Sequence, residues 1–287
     1  MTTLHIGQFS RSPVLAAARA LNWDTDMDLH LEVGPVPSSP AQFESLRSGA
    51  IDVALTSPDN VLLYSGTAKN PLGEQLPVRI HRAIDGGLGL ALMSRPDLTT
   101  PEALGAAPVA VDVLPSGFAI LLKELLRQLG LRIEDLDFVE EGATPRRAER
   151  LIDGAIGCTI LNAESRVRAT HQGMRVWATS MDVSPIYPGT VLATLADGPD
   201  VMPLLDLWDR TTEWLLDTDI SEVSTVLESQ IPGLGDRDYL ALLRDPDVGL
   251  ARNRAVTADQ LRVLADLRRS SGAWAPDEEH IRALATA

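Results

Sequence analysis

Hydrophobic and polar positions follow two different periods along residues 4–195, and these periods predict strands and helices in alternation. Residues 51–55 and 109–113 are short apolar runs between turn residues, which is typical of buried strands. Residues 117–129 instead place apolar side chains three and four positions apart, as an amphipathic helix does. Beyond residue 199 only the helical period continues. The pattern therefore predicts an α/β fold followed by C-terminal helices.

The predicted elements can be bounded from these periods and from the helix-starting and helix-ending residues between them. The predicted strands are residues 4–8, 29–33, 51–55, 76–83, 88–94, 109–113, 137–139, 157–161, 174–178 and 189–195. The main predicted helices begin near Ser12, Ser38, Ser57, Pro101, Ser116, Thr144 and Ala163.

One unit of the sequence occurs twice. Residues 46–56 (LRSGAIDVALT) share Leu, Gly, Ala and Ile, in the same order and spacing, with residues 151–161 (LIDGAIGCTIL). Each copy has the pattern of a helix end, a glycine that stops the helix and a buried strand. The repeat predicts two similar α/β lobes, and the gap between two lobes is a natural binding place for a small ligand.

Amino-acid composition narrows the classes of function that are open to the chain. The chain has 287 residues and is 45% hydrophobic, which is enough for one large or two medium domains with a sizeable core. Its formal charge of −15 argues against nucleic acid and anionic membrane surfaces as partners. A single cysteine, Cys158, excludes an internal disulfide, and no pair of histidines has the spacing of a metal site. The sequence contains no P-loop and no Gly-x-Gly-x-x-Gly motif, and we expect no cofactor.

The sequence starts directly with a predicted strand. It shows no basic and apolar leader region and no apolar run near the roughly 18 residues of a membrane span. We therefore expect a cytoplasmic protein as the chain is written, without membrane insertion. A periplasmic or extracellular location stays open if a leader has been removed.

The polar residues at the helix starts carry the predicted chemistry. Five predicted strands end in a small polar residue that begins a helix, namely Ser12, Ser57, Ser116, Thr144 and Asn162. In parallel α/β sheets such turns gather at one edge. Helix N-termini present unpaired N–H groups and a partial positive charge, which suit carboxylate, sulfonate or phosphate groups. The pattern predicts a cleft for an anionic or aromatic organic solute.

Further candidates surround these turns. Asp112 ends the strand before Ser116, and Gly117 keeps a Cβ away from anything that approaches the amides of its helix start. Arg11 can pair with a carboxylate in bidentate geometry. Phe118 and Tyr187 can line a site for an apolar or aromatic ligand, although each residue type is more often part of a core.

The sequence supports a catalytic function less than it supports ligand binding. His81 and Arg11 are weak catalytic candidates, since no pair of histidines has metal spacing and no nucleophile motif occurs. Cys158 lies in the middle of a predicted buried strand, which favours a small apolar role over that of a nucleophile.

The chain resembles the type II periplasmic-binding-protein fold, in the branch of the nitrate, sulfonate and taurine solute-binding proteins and the NMT1/THI5-like proteins. Residues 46–58, residues 109–117 and residues 151–154 carry the resemblance. It implies two lobes that close on a small solute, joined by crossover strands near residues 89–94 and 189–195. Lobe 1 would comprise residues 1–90 and 195–287, and lobe 2 residues 91–194.

The resemblance also implies which loops touch the ligand. They correspond here to the loop Ser10, Arg11 and Ser12, to the turn Thr56 and Ser57, and to the helix start Ser116, Gly117 and Phe118. A transporter permease is the implied partner if the chain is exported.

Two departures from the family pattern leave other functions open. Transport members are exported, whereas this sequence shows no export signal, so a cytoplasmic enzyme of the same fold, such as a decarboxylase or lyase acting on an aromatic acid, is the alternative. The cysteine-rich motif of thiamine-pyrimidine synthases is absent, and Phe9, Ser10 and Arg11 stand where a desulfinase has its cysteine. A sensor or regulatory domain is a third class.

Overall fold

Ten strands form two separate five-stranded sheets within residues 2–252 and 255–286, which the computed structural model describes. The strands are β1 (Thr2–Gln8), β2 (Leu29–Pro35), β3 (Val53–Thr56), β4 (Val78–Ala83), β5 (Ala91–Ser94), β6 (Val109–Val111), β7 (Phe138–Glu140), β8 (Cys158–Leu161), β9 (Arg175–Thr179) and β10 (Val191–Leu195).

Fourteen α-helices surround the sheets in the same described ranges. They are α1 (Pro13–Ala20), α2 (Trp23–Asp26), α3 (Ser39–Ser48), α4 (Pro58–Gly66), α5 (Pro101–Gly105), α6 (Gly117–Gln128), α7 (Thr144–Ile152), α8 (Ala163–His171), α9 (Ser180–Val183), α10 (Met202–Asp217), α11 (Ile220–Gln230), α12 (Arg237–Leu243), α13 (Ala258–Ser270) and α14 (Glu278–Leu284). None of the helices in this part of the chain combines the length and the apolar character that a bilayer span requires.

The two sheets have the same construction. The first has the strand order β2-β1-β3-β10-β4 and the second β7-β6-β8-β5-β9. In each sheet the first three strands are parallel and the fourth is antiparallel to both of its neighbours. The chain passes from the first sheet to the second after β4 and returns with β10. The predicted α/β fold with two similar halves is confirmed.

The repeated sequence unit occupies equivalent places in the two halves. Gly49 follows α3 with φ of +74° and Gly154 follows α7 with φ of +76°, a conformation that glycine adopts without a Cβ penalty. The strands that come next, β3 and β8, are the middle strands of their sheets. The repeat therefore reflects a structural duplication.

The crossover between the sheets is longer than the sequence pattern predicts. Residues 88–94 were expected to form one strand, but β5 begins only at Ala91. Gly87, Leu88 and Gly89 all have positive φ, which breaks the extended conformation, so the strand is shorter than its apolar run. β10 lies in the first sheet, and the division into lobes at residues 90 and 195 stays a prediction.

One buried apolar cluster connects the two sheets. It includes Ile80 from the first sheet, Val109 and Ile160 from the second, and Leu261 and Leu264 from α13. Because α13 packs on both α4 and α6, the C-terminal region joins the two halves behind the cleft between them.

A surface ion pair also links the halves. His171 in α8 lies 2.8 Å, from Nε2 to Oδ2, from Asp238 in α12, and its Nδ1 lies 3.8 Å from Asp236. The hydrogen bond to Asp238 is the largest cause that raises the pKa of His171.

The charge of His171 makes this contact dependent on pH. Since its pKa is raised in the folded protein, the contact contributes fully below the ordinary histidine pKa of about 6.5 and is lost as the pH rises through the higher folded value. An NMR titration of His171 is expected to give a pKa above 6.5, and Asp238→Asn is expected to lower it. An unchanged pKa in Asp238→Asn would contradict the assigned cause.

Candidate ligand-binding site

Two adjoining cavities lie between the sheets. The main cavity has a volume of about 80 Å³ and the smaller cavity about 30 Å³. The two share Phe9, Ser57, Phe118 and Thr144 in their walls. Since a water needs roughly 10–15 Å³ by this measure, the main cavity has room for several waters or a small organic group.

All five helix starts predicted from the sequence meet at these cavities. Ser12 and Asn162 line the main cavity, Ser116 lines the smaller one, and Ser57 and Thr144 line both. Helices α1, α4, α6, α7 and α8 therefore direct the positive ends of their dipoles to one place, although they come from both halves of the chain.

The side chains at these helix starts differ in whether they cap their helices. Ser12, Ser57 and Ser116 cap their helices, each accepting a hydrogen bond from a backbone N–H of the first turn at 3.1–3.3 Å. Thr144 is not a cap, because α7 starts one residue earlier than expected with Ala143 as the cap residue. Asn162 precedes α8 but makes no capping hydrogen bond. Its amide is thus left for another partner.

The backbone is strained beside the main cavity. Leu88 and Ala163 line it with φ of +44° and +48°, and the Ala163 N–H donates to the Leu88 carbonyl at 2.9 Å. Such conformations cost on the order of 1–3 kcal/mol for a residue with a Cβ and are concentrated at functional sites. The hydrogen bond holds the Asn162 segment against the crossover in spite of this cost.

Asp85 is a buried carboxyl in the wall of the main cavity. Its Oδ1 accepts hydrogen bonds from the Gly87 N–H at 2.7 Å and the Thr190 N–H at 3.0 Å. Burial raises the pKa of Asp85, and these hydrogen bonds oppose that effect. A Cβ on Gly189 would lie 2.0 Å from the Gly87 nitrogen, so only glycine lets the two crossovers approach this closely. The sequence indicated only a turn at Asp85.

Arg147 is a buried cation in the wall of the smaller cavity. Its guanidinium donates to neutral oxygens of Gly142, Thr144, Thr159 and Ile160. Among the described residues no carboxylate lies within 4.0 Å of it, and burial lowers its pKa while nearby Asp112 opposes this. Sequence reasoning did not single out Arg147.

Asp112 also lines the smaller cavity, where its carboxylate accepts a hydrogen bond from the Ser116 hydroxyl. The contact ties the end of the second sheet to the cap of α6. The carboxylate of Asp112 therefore offsets part of the positive potential that Arg147 and the helix starts create.

Gly117 lines the smaller cavity and also lies against a neighbouring helix. A Cβ on Gly117 would lie 2.5 Å from Oδ2 of Asp59, so the group that approaches this glycine is a protein side chain from α4. Asp59 is itself buried and forms an ion pair with buried Arg268 of α13. The absence of a Cβ at Gly117 thus lets the two halves pack together.

Arg11 pairs with the opposite half of the protein. Its Nη2 lies 2.8 Å from Oε1 of Glu164 in the first turn of α8, at the rim of the main cavity. The second oxygen, Glu164 Oε2, is buried with no hydrogen-bond partner in the described chain. In this conformation the carboxylate that pairs with Arg11 is therefore that of Glu164.

The remaining candidate positions divide between the cavities and the core. Ser10, Arg11, Thr56 and Phe118 line the main cavity. Tyr187 is buried outside both linings, where burial raises its pKa. His81 lies on β4 with its Nε2 2.9 Å from Thr194 Oγ1, and burial lowers its pKa. Cys158 is buried, which raises its pKa to about 12.

Comparison with known proteins identifies the architecture. No protein-family model and no curated protein sequence matches the chain. The nitrate-binding protein NrtA from Synechocystis PCC 6803 superposes with a TM-score of 0.75 at 14% identity over 99% of this chain and 85% of its own. The alkanesulfonate-binding protein SsuA from Xanthomonas axonopodis pv. citri, bound to MOPS, superposes with a TM-score of 0.74 at 17% identity over 97% and 96%.

The chain has the type II periplasmic-binding-protein fold. The aliphatic sulphonate binding protein SsuA from Escherichia coli agrees, with a TM-score of 0.68 at 18% identity over 99% of this chain and 92% of its own. The fold predicted from the residues at 46–58, 109–117 and 151–154 is confirmed. The two cavities lie in the cleft between the two sheets of this fold.

Proposed function

We propose that this protein binds a small anionic organic solute in the two adjoining cavities and that its two lobes close over that solute. The observation that carries the proposal is the convergence of five helix N-termini and the buried Arg147 on one cleft. N–H groups at helix starts and a guanidinium without a carboxylate at ion-pair distance favour a carboxylate, sulfonate or similar group. The sulfonate-binding and nitrate-binding neighbours support the same class of ligand.

The proposal also states which segments form the two lobes that close. Lobe 1 would be residues 1–90 with 195–287 and lobe 2 residues 91–194, and the Arg11–Glu164 pair would form as they close. If the chain is exported, an ABC transporter permease is the partner that its structural neighbours suggest, since one of them is the ligand binding component of an ABC-type import system from Staphylococcus aureus. Of the two catalytic candidates for the alternative of a decarboxylase or lyase, His81 lies outside the linings of both cavities, and Arg11 lines the main cavity but is paired with Glu164.

Anion binding is testable by ligand-induced stabilisation. We expect a short sulfonate or carboxylate to raise the free energy of unfolding by about 2.7 kcal/mol at a hundredfold excess over its Kd. Ser10→Trp is expected to abolish this effect, because Ser10 lines the main cavity and the indole would fill it. Differential scanning fluorimetry with a series of anions measures the shift.

Ser48→Trp is the matched control. Ser48 is exposed at the end of α3 and lines neither cavity, so this variant should respond to the anion as the original protein does. Equal responses in Ser10→Trp and Ser48→Trp would place binding elsewhere, and no response to any anion would reject the proposed function.

A further inference from the structure

We propose that His5, His30 and Glu32 bind a divalent transition-metal ion such as Zn²⁺ on the open face of the first sheet, with Asp52 positioning His5. None of these four residues lines the main or the smaller cavity. The metal site is therefore separate from the proposed solute site. The strand register, the separations of the ligand atoms and one hydrogen bond to His5 support it.

The register of β1 and β2 puts the three candidate ligands on one face of the sheet. His5 on β1 is the direct partner of Glu32 on β2, and His30 precedes Glu32 by two residues on the same strand. Side chains two residues apart on a strand point to the same face. The neighbouring Leu4 and Leu31 are buried in the core on the other face. Sequence spacing did not indicate this pair of histidines, because only strand pairing brings them onto one face.

This face of the sheet is open to solvent at the three residues, whose side chains are 45–56% exposed. Parallel strands such as β1 and β2 are usually covered on both faces. The uncovered positions here carry imidazole and carboxylate groups, which are side chains that bind zinc. An incoming ion can therefore reach them, and water can complete its coordination.

Both imidazoles lie at the ligand spacing of a tetrahedral ion from Glu32. His5 Nε2 lies 3.4 Å from Glu32 Oε2, and His30 Nε2 lies 3.6 Å from Glu32 Oε1. Ligand atoms about 2.0–2.2 Å from a tetrahedral zinc ion are about 3.3–3.6 Å from one another. Binding of one ion requires the His30 ring to turn toward His5. The ring is free to do so, because within the described chain His30 makes no other ion pair and no side-chain hydrogen bond.

Asp52 holds His5 in the orientation that a metal ligand needs. Asp52 Oδ2 lies 3.0 Å from His5 Nδ1 and also accepts the His5 backbone N–H at 2.8 Å. Since a carboxylate only accepts hydrogen bonds, Nδ1 carries the proton, and the lone pair of the neutral ring is at Nε2, on the side of Glu32. Histidines that bind metals almost always donate their other ring N–H to such a partner. Asp52 is thus a positioning residue for the site.

A second group of possible ligands does not share this arrangement. One atom each of His171, Asp236 and Asp238 lie within 4.8 Å of one another. There Nε2 faces Asp238 at 2.8 Å and Nδ1 faces Asp236 at 3.8 Å, so a carboxylate lies beside each ring nitrogen. An ion pair accounts for that group, which makes His171 a suitable control.

Isothermal titration calorimetry with ZnCl₂ tests the site. We expect one Zn²⁺ to bind per chain, whereas CaCl₂ should give no comparable binding, because Ca²⁺ takes oxygen ligands. His5→Ala and His30→Ala should each weaken zinc binding by about tenfold or more. Asp52→Asn should also weaken it by about tenfold, although it removes no ligand. The same variant should change the nitrogen NMR signals of the His5 ring, which report the tautomer.

His171→Ala is the matched control, because His171 also contacts carboxylates and its side chain is 45% exposed, as is that of His5. This variant should bind zinc as the original protein does, and circular dichroism checks that each variant folds. Zinc binding that persists at full strength in either His5→Ala or His30→Ala, or that is lost in His171→Ala, would overturn the site. No zinc binding to the original protein would also overturn it. Anion titrations without metal are unaffected by either result, so the proposed function is tested separately.

Discussion

Arg268→Met is expected to lower the free energy of unfolding by about 3–5 kcal/mol. Arg268 and Asp59 are 1% and 2% exposed by their side chains, and the guanidinium makes a two-nitrogen contact with the carboxylate. Removing the arginine leaves a buried negative charge without a partner, and few waters can reach it. Chemical denaturation at neutral pH, followed by circular dichroism, measures the loss.

Two further variants separate the buried charge from the loss of side-chain packing. Arg262→Met removes an arginine from an exposed cluster with Asp259 and Glu278, where pairs of this kind contribute up to about 1 kcal/mol. The double variant Asp59→Leu with Arg268→Met removes both charges and should recover much of the lost stability. A loss in Arg268→Met no larger than that in Arg262→Met would show that the buried pair is not important for stability.

The fold and the position of the cleft were predictable because their signals are local. A cap such as Ser116 acts on an amide three residues away, and Gly49 and Gly154 end their helices within one turn. Repetition of such a unit indicates two similar halves, and helix starts that follow parallel strands must meet at one edge. These rules brought Ser12, Ser57 and Ser116 together without knowledge of the fold.

The charged groups of the site were not predictable in the same way, because their partners are distant in sequence. Asp59 and Arg268 are 209 residues apart, and Asp85 receives a hydrogen bond from a residue 105 positions later. Arg147 follows the ordinary charged pattern of α7, and only its packing against β8 shows that it is buried. Local periodicity reports which face of a helix is polar, but it does not report what covers that face.

Gly117→Val is the second change for which we expect a large effect, and it follows from the close approach of Asp59 to this glycine. The new Cβ would lie 2.5 Å from Oδ2 and 2.6 Å from Cβ of Asp59, which is too close for any real contact. Asp59 cannot turn away without leaving Arg268 unpaired inside the protein. The start of α6 must therefore shift from α4, and we expect a loss of about 1–3 kcal/mol in stability together with weaker anion binding.

Gly34→Val is the matched control, because no heavy atom lies within 4 Å of the Cβ position at Gly34 in β2. Gly117→Val should be less stable than Gly34→Val in unfolding experiments, and it should bind anions more weakly in titrations. If Gly117→Val kept its stability and lost only anion binding, the glycine would be clearing space for a ligand, as the sequence first indicated. If it lost stability as well, the contact with Asp59 would account for both, since α4 and α6 each contribute a helix start to the smaller cavity.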